Sequence, residues 1–298
     1  MACRNLCVIL QANVFSKFRI MQQKHLEKLA IQKFTGTDTT SIEDWIAVEA
    51  PLEIHLAYAD DTGDKIRESL TITMRTPGND AELALGFLLT EGLITRADQV
   101  AQTNHSESIL LVEMVADFRT DTRQLERNFL ANSSCGVCGK SSIENIRQTS
   151  SFPPLPGKPS GITAECLYAL PEVLYRAQNV FHHTGGLHAS GLFDNQGKLI
   201  LLREDVGRHN ALDKVLGAAL MENKIPLDNH ILMLSGRISF ELVQKAAMAG
   251  IGFIAAVGAP STLAVSLARE YDITLIGFLR DGKFNIYSES NRLSSPLC

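Results

Sequence analysis

The chain has 298 residues, 45% of them hydrophobic, which is enough length and apolar content for one large domain or two ordinary ones and excludes a disordered chain. Lysine and arginine number 28 against 33 aspartate and glutamate, a formal net charge of −5, so no overall basic character points to nucleic acid as a partner. No apolar stretch approaches the roughly 20 residues of a membrane-spanning helix and the N-terminus lacks a secretory signal, so the expected protein is cytoplasmic and has no membrane partner.

Residues 1–40 are biased toward basic side chains (Arg4, Lys17, Arg19, Lys24, Lys28, Lys33) and offer no clear strand. They are expected to form an extension before the fold, with an amphipathic surface helix near residues 15–29. Residues 41–150 read as a small α+β domain. Leu52, Ile54 and Leu56 alternate with polar or small residues, Ile72 and Met74 do likewise, and residues 110–114 form an apolar run, all patterns of half-buried strands. Asp80 is expected to cap a helix whose Leu83, Phe87 and Leu88 share a face and which stops near Gly92.

Within residues 151–162, Pro153, Pro154, Pro156 and Pro159 fit neither a helix nor a central strand, and the segment reads as the interdomain linker. Residues 163–298 then alternate helices and strands. A helical stretch, broken at Pro171, reaches about residue 181; strands follow at 189–193 and 198–203 around the turn 194–197. The helix from Gly207 places Ala211, Leu212, Val215, Leu216, Ala219 and Leu220 at helical spacing, and the strand 231–234 is continuously apolar. Helix 239–249, strand 251–257, helix 261–270 and strand 273–279 complete the pattern, and Asp281-Gly282 turns the chain into 283–287. The expected fold class is α/β, a helix-flanked three-layer domain joined to a smaller α+β N-terminal domain.

Six cysteines are too few for a disulfide framework in a chain of this size. Cys3, Cys7, Cys166 and Cys298 read as bystanders. Cys135 and Cys138 stand in Ser133-Ser134-Cys135-Gly136-Val137-Cys138-Gly139-Lys140, where small residues leave sulfur accessible and Lys140 favours the thiolate. Taken alone, this pair serves sulfur relay, half of a zinc site completed by His182, His183, His188 or His209, or dithiol exchange equally well.

A second cluster comprises Thr184-Gly185-Gly186-Leu187-His188-Ala189-Ser190 and Arg203-Glu204-Asp205-Val206-Gly207-Arg208-His209-Asn210. So many polar groups at a strand end line either a cleft or a capped helix, with Asp205 as the cap and Arg203 and Arg208 paired to carboxylates. Two strand-to-helix turns, Ser235-Gly236-Arg237 and Val257-Gly258-Ala259-Pro260, expose helix N-terminal amides suited to phosphate, and Arg237 adds a positive charge.

Together, Ser133–Gly139, Thr184-Gly185-Gly186-Leu187-His188-Ala189, the run from Arg203 through Asn210 continued by Ala211-Leu212-Asp213-Lys214, and Ser235-Gly236-Arg237 resemble the FdhD family of sulfur carriers required for formate dehydrogenase, over about residues 45–287. The resemblance implies a sulfurtransferase. A cysteine desulfurase would load Cys135 with persulfide sulfur, Cys138 would assist or share it, and the acceptor would be a bis(molybdopterin guanine dinucleotide) cofactor bound for the formate dehydrogenase catalytic subunit. It further implies recognition of the guanine nucleotide (GDP) moiety by Phe278, Leu279, Arg280, Asp281, Gly282 and Lys283, a cytidine-deaminase-like larger domain, and a homodimer. No resident metal is expected, and the deaminase's own zinc ligands are absent. The rival reading is a non-catalytic cofactor-binding chaperone whose cysteine pair is structural or holds zinc.

Overall fold

A computed structural model describes residues 25–60, 62–119, 150–153 and 161–294. The described residues begin with a hairpin, β1 (Leu26–Thr35) and β2 (Asp38–Ala47), in place of the end of the expected extension and helix; the parts of both before residue 25 lie outside the described residues. Cross-strand pairing overrides the basic bias. Ile31 sits opposite Ile42, and Lys28 bonds Glu43 and lies 5.0 Å above the Trp45 ring.

A four-stranded sheet follows, ordered β4-β3-β6-β5, from β3 (Ala50–Ala59), β4 (Lys65–Arg75), β5 (Val100–Ser106) and β6 (Ile109–Met114). Leu52, Ile54 and Leu56 point inward as their alternation demands. On β4, however, Ile72 and Met74 face solvent and Thr71, Thr73 and Arg75 face inward, so alternation is present with the opposite face buried. The inward polar residues are tolerated because they are bonded: Arg75 holds Asp80 through two nitrogens and the Ala50 carbonyl through a third. Asp80 is accordingly the first residue of helix α1 (Asp80–Thr90), and Asn79 takes the cap position with φ 57.

The larger unit is a mixed six-stranded sheet ordered β12-β11-β10-β9-β7-β8. Its strands are β7 (His188–Asp194), β8 (Leu199–Asp205), β9 (His230–Leu234), β10 (Phe253–Ala256), β11 (Thr274–Arg280) and β12 (Lys283–Ser288), with β9, β10 and β11 parallel. Helix α2 (Ala164–Ala177) runs unbroken through Pro171 and ends at Gln178, where the short α3 (Asn179–Thr184) begins. Leu167, Leu170 and Leu174 of α2 pack on Ala189, Phe193, Ile231, Met233, Phe253 and Ile276 from one sheet face.

The other sheet face takes α4 (Arg208–Met221), α5 (Phe240–Met248) and α6 (Thr262–Glu270). Helix–sheet–helix layering of the expected kind results. One continuous apolar cluster then runs from Leu232 and Ile254 of this sheet through Leu212 and Leu216 to Leu88 and Leu52 of the four-stranded part. Helix α4 is therefore buried on all sides, and its charged Asp213 and Lys214 are interior residues.

Candidate functional site

In parallel strands the chain reverses at the carboxyl end into a helix, so β9, β10 and β11 present their loops on one edge, and antiparallel β7 and β8 bring His188 and Asp205 to that same edge. The loops are tied together by backbone bonds: Gly258 N–H donates to the Gly236 carbonyl, Phe278 N–H to the Gly258 carbonyl, and Ser235 N–H to the Ala189 carbonyl. Close approach explains Gly258, where an added Cβ would lie 2.7 Å from the Gly236 oxygen.

The polar run beginning at Arg203 divides between holding the molecule together and facing this edge. Arg203 grips Glu82 of α1 through two nitrogens, and Glu204 accepts the Val180 and Phe181 amides at the start of α3. Asp205, 0% exposed, bonds Lys214 at 2.7 Å, the Thr76 and Gly207 amides and the Asn210 side chain; Lys214 also donates to the Thr76 carbonyl at 2.8 Å. Asp213 pairs with Lys245 at 2.9 Å. Gly207, not Asp205, occupies the α4 cap position, and the expected Arg203–carboxylate pair is present.

Arg208 differs. Among the described residues it has no ion pair, and its buried Nε has no hydrogen-bond partner. Burial first, and then the positive charges of Arg208 and Arg237, hold the His188 imidazole below its usual range, so the ring is neutral near pH 7. Gly236 backs the ring: a Cβ there would lie 3.1 Å from His188 Nδ1.

At the far side of the same edge, β11 bulges, and Phe278, with φ 54, is 38% exposed. Asp281 (φ 53) and Gly282 (φ 67) form the tight turn into β12, and Arg280 and Lys283 face each other across it, both exposed. Leu279 is 0% exposed and packs in the core, so only its backbone is available to a ligand. Arg237 is exposed and unpaired among the described residues. Cys135 and Cys138 lie outside the described residues. Cys166 is described as a free thiol, and partial burial with nearby Asp194 pushes its pKa up, which suits a bystander. No group of three or more metal-ligating side chains occurs among the described residues, and no helix among them is long and apolar enough to cross a membrane.

Sequence reasoning passed over Gln178, at the α2–α3 junction. It is 4% exposed, its Nε2 has no partner among the described residues, and it lines a cavity of about 440 Å³ with Tyr175, Phe181, His188 and Ser235. A polar residue at the end of an amphipathic helix carries no local mark of such a role.

The fold and this edge define a mixed α/β protein whose strand ends carry unpaired cations, a neutral imidazole and an exposed aromatic ring. A sequence model of the FdhD/NarQ family matches residues 47–294, and the chain belongs to that family. It is 46% identical over 273 residues to the sulfur carrier protein FdhD of Mycolicibacterium paratuberculosis, covering 88% of this chain and 97% of that protein. The protein of the same name from Sulfurisphaera tokodaii is 39% identical, with 92% and 100% covered. The fold matches a crystal structure from Desulfotalea psychrophila, described provisionally as a formate dehydrogenase accessory protein, with TM-score 0.70 and 22% identity, covering 90% of this chain and 99% of that one.

Proposed function

We propose that this chain is a sulfur carrier that takes persulfide sulfur from a cysteine desulfurase onto Cys135 and delivers it to the metal of a bis(molybdopterin guanine dinucleotide) cofactor destined for the formate dehydrogenase catalytic subunit. The observation that carries the reading is family membership across residues 47–294, a span that includes the Cys135-Gly136-Val137-Cys138 motif and whose relatives bear the name sulfur carrier protein.

In loading, the Cys135 thiolate attacks the outer sulfur of the desulfurase persulfide; that S–S bond breaks and the desulfurase cysteine leaves as thiolate, with no net oxidation. Delivery differs in electron count, because a metal-bound sulfido ligand holds two more electrons than persulfide sulfur. Attack of the Cys138 thiolate on the Cys135 sulfur forms a Cys135–Cys138 disulfide and expels sulfide with the electron pair onto the metal. A cellular thiol then resets the pair, a chemistry suited to a reducing cytoplasm.

The acceptor's nucleotide has a suitable seat at the β11–β12 turn. Phe278 offers a stacking face, Arg280, Lys283 and Arg237 offer phosphate partners, and the backbone of Leu279, Asp281 and Gly282 sets their spacing. The working unit is taken as a homodimer, checked by light scattering of the purified chain.

The test is to incubate the protein with a cysteine desulfurase and cysteine and weigh it. A mass gain of one sulfur atom at Cys135, released by cyanide and missing from Cys135→Ser, is expected. No gain sinks the relay and favours a chaperone that binds the cofactor without carrying sulfur.

A further inference from the structure

The β1–β2 hairpin forms a sheet of its own. Its β2 strand approaches α3, while the outer edge of β1 pairs with no strand among the described residues. All ten residues of β1 pair with β2 without a register shift, so the strand has no bulge, and its sequence has no proline. Bulges and prolines are among the devices that usually blunt an exposed edge.

A two-stranded ribbon is marginal in water, and a third strand or a packed face is needed to stabilise it. This ribbon instead leaves apolar side chains open: Leu29, Phe34, Ile42 and Ile46 are between 38% and 70% exposed. Because opposite residues share a face, Leu29, Ile31, Ile42 and Ile46 lie together on one side.

Read against its own reverse, β1 is self-complementary. Set antiparallel to β1 of a second copy with Ala30 on the two-fold axis, Glu27 meets Lys33, Leu29 meets Ile31, Leu26 meets Phe34 and Lys28 meets Gln32, each pair occurring twice. Opposite charges bracket an aliphatic centre, and no like charges face each other. Other registers lose the match: centring on Leu29 puts Glu27 against Ile31, and centring on Ile31 puts Leu29 against Lys33. In the Ala30 register, Ile42 and Ile31 of one copy also fall in one row with Leu29 of the other, so the apolar stripes join.

We propose that β1 is the surface on which two copies of this chain meet, pairing edge to edge about Ala30 into one four-stranded sheet. This pairing rests on the functional reading above for the existence of a homodimer; its register comes from β1 alone.

The full chain is followed by sedimentation equilibrium at low ionic strength. Glu27 and Lys33 are exposed, so changing them leaves the core untouched. Glu27→Lys and Lys33→Glu each create two like-charge pairs and should weaken the dimer about tenfold to a hundredfold, whereas the two changes combined restore the opposite charges and the affinity. Mild oxidation of Ala30→Cys should link the copies through position 30, since facing Cα atoms lie about 4.5–5.5 Å apart, within disulfide reach. Gln32→Cys, on the same face but about 13 Å from its counterpart, should give no such link. A dimer that ignores both charge reversals and gives no link through position 30 overturns the proposal and leaves the homodimer standing on another interface. A monomer at every concentration overturns both. A link from position 30 to Cys3 or Cys7 of the same chain would put the chain's own first residues on this edge and overturn the proposal equally. Sulfur loading of Cys135 in the same samples reads the relay separately.

Discussion

Gly86 of α1 and Gly217 of α4 pack against each other's backbone: a Cβ on Gly86 would lie 1.8 Å from the Asp213 carbonyl oxygen, and one on Gly217 would lie 1.8 Å from that of Glu82. The helices cross so closely that neither position has room for a methyl group, and this crossing carries the four-stranded sheet onto the six-stranded one. Gly86→Ala and Gly217→Ala should each destabilise the protein by at least the ~1–3 kcal/mol typical of overpacking, against a gain in helix propensity of under about 1 kcal/mol. Denaturant midpoints check this; an unchanged midpoint would mean the helices slide apart freely.

The Asp205–Lys214 pair, 0% and 2% exposed, is interior, so removing one member strands the other. Lys214→Met is expected to cost about 3–5 kcal/mol at neutral pH. Burial already holds the Asp205 carboxyl above its usual range despite Lys214, and removing that cation raises it further above the unfolded value of about 3.9. The stability recovered by protonating it is therefore present below that value and lost as pH rises, so the deficit of the variant should shrink on acidification. A deficit independent of pH would show that Asp205 reaches solvent.

Burial, ahead of any charge, holds His25, His188 and His230 below the usual histidine range. Their folded forms resist protonation, so the unfolded chain binds more protons once pH falls below about 6.5, and stability should decline from there toward the lower folded-state values. Replacing the three with glutamine should flatten the profile below about pH 6.5. Equal slopes in parent and triple variant would place the loss elsewhere.

Phe278, Arg280 and Lys283 are exposed and can be changed without touching the core. Phe278→Ala should weaken GDP binding by about tenfold to a hundredfold, as loss of one stacked base would. Arg280→Ala and Lys283→Ala should weaken it less and lower its salt dependence. Isothermal titration at two ionic strengths reads both effects.

Cys166 and Cys135 should separate in one experiment. The Cys166 thiol is pushed up by burial and by Asp194, which disfavours the attacking thiolate. Cys166→Ser is expected to load sulfur as the parent does, and Cys135→Ser to load none. Loading lost in Cys166→Ser alone would reassign the carrier.

Much of the architecture was legible in local pattern. The apolar strand at Ile231–Leu234, the glycine at 250 ending α5 and the Asp281-Gly282 turn all depend on neighbours within a few positions. The β1–β2 hairpin was not legible, because its strands stabilise each other across the ladder, and a single strand read alone looks like a basic extension. Neither was the inward face of β4, since Ile72 and Met74 alternate correctly and nothing local says which side Arg75 will find its carboxylate.

The sequence by itself determined the succession of helices and strands, the cysteine pair and the motifs that mark the family, because periodicity, turn chemistry and residue type act over short range. Only the tertiary structure decided that Lys214 and Asp213 are interior, that Arg203 and Glu204 tie parts together while Arg208 stays unpaired, and that Gln178 lines a cavity with His188. Lys214 meets the Thr76 carbonyl 138 positions away. Whether a polar side chain is satisfied or left open depends on such distant partners, and burial is a property of the packed molecule rather than of any segment.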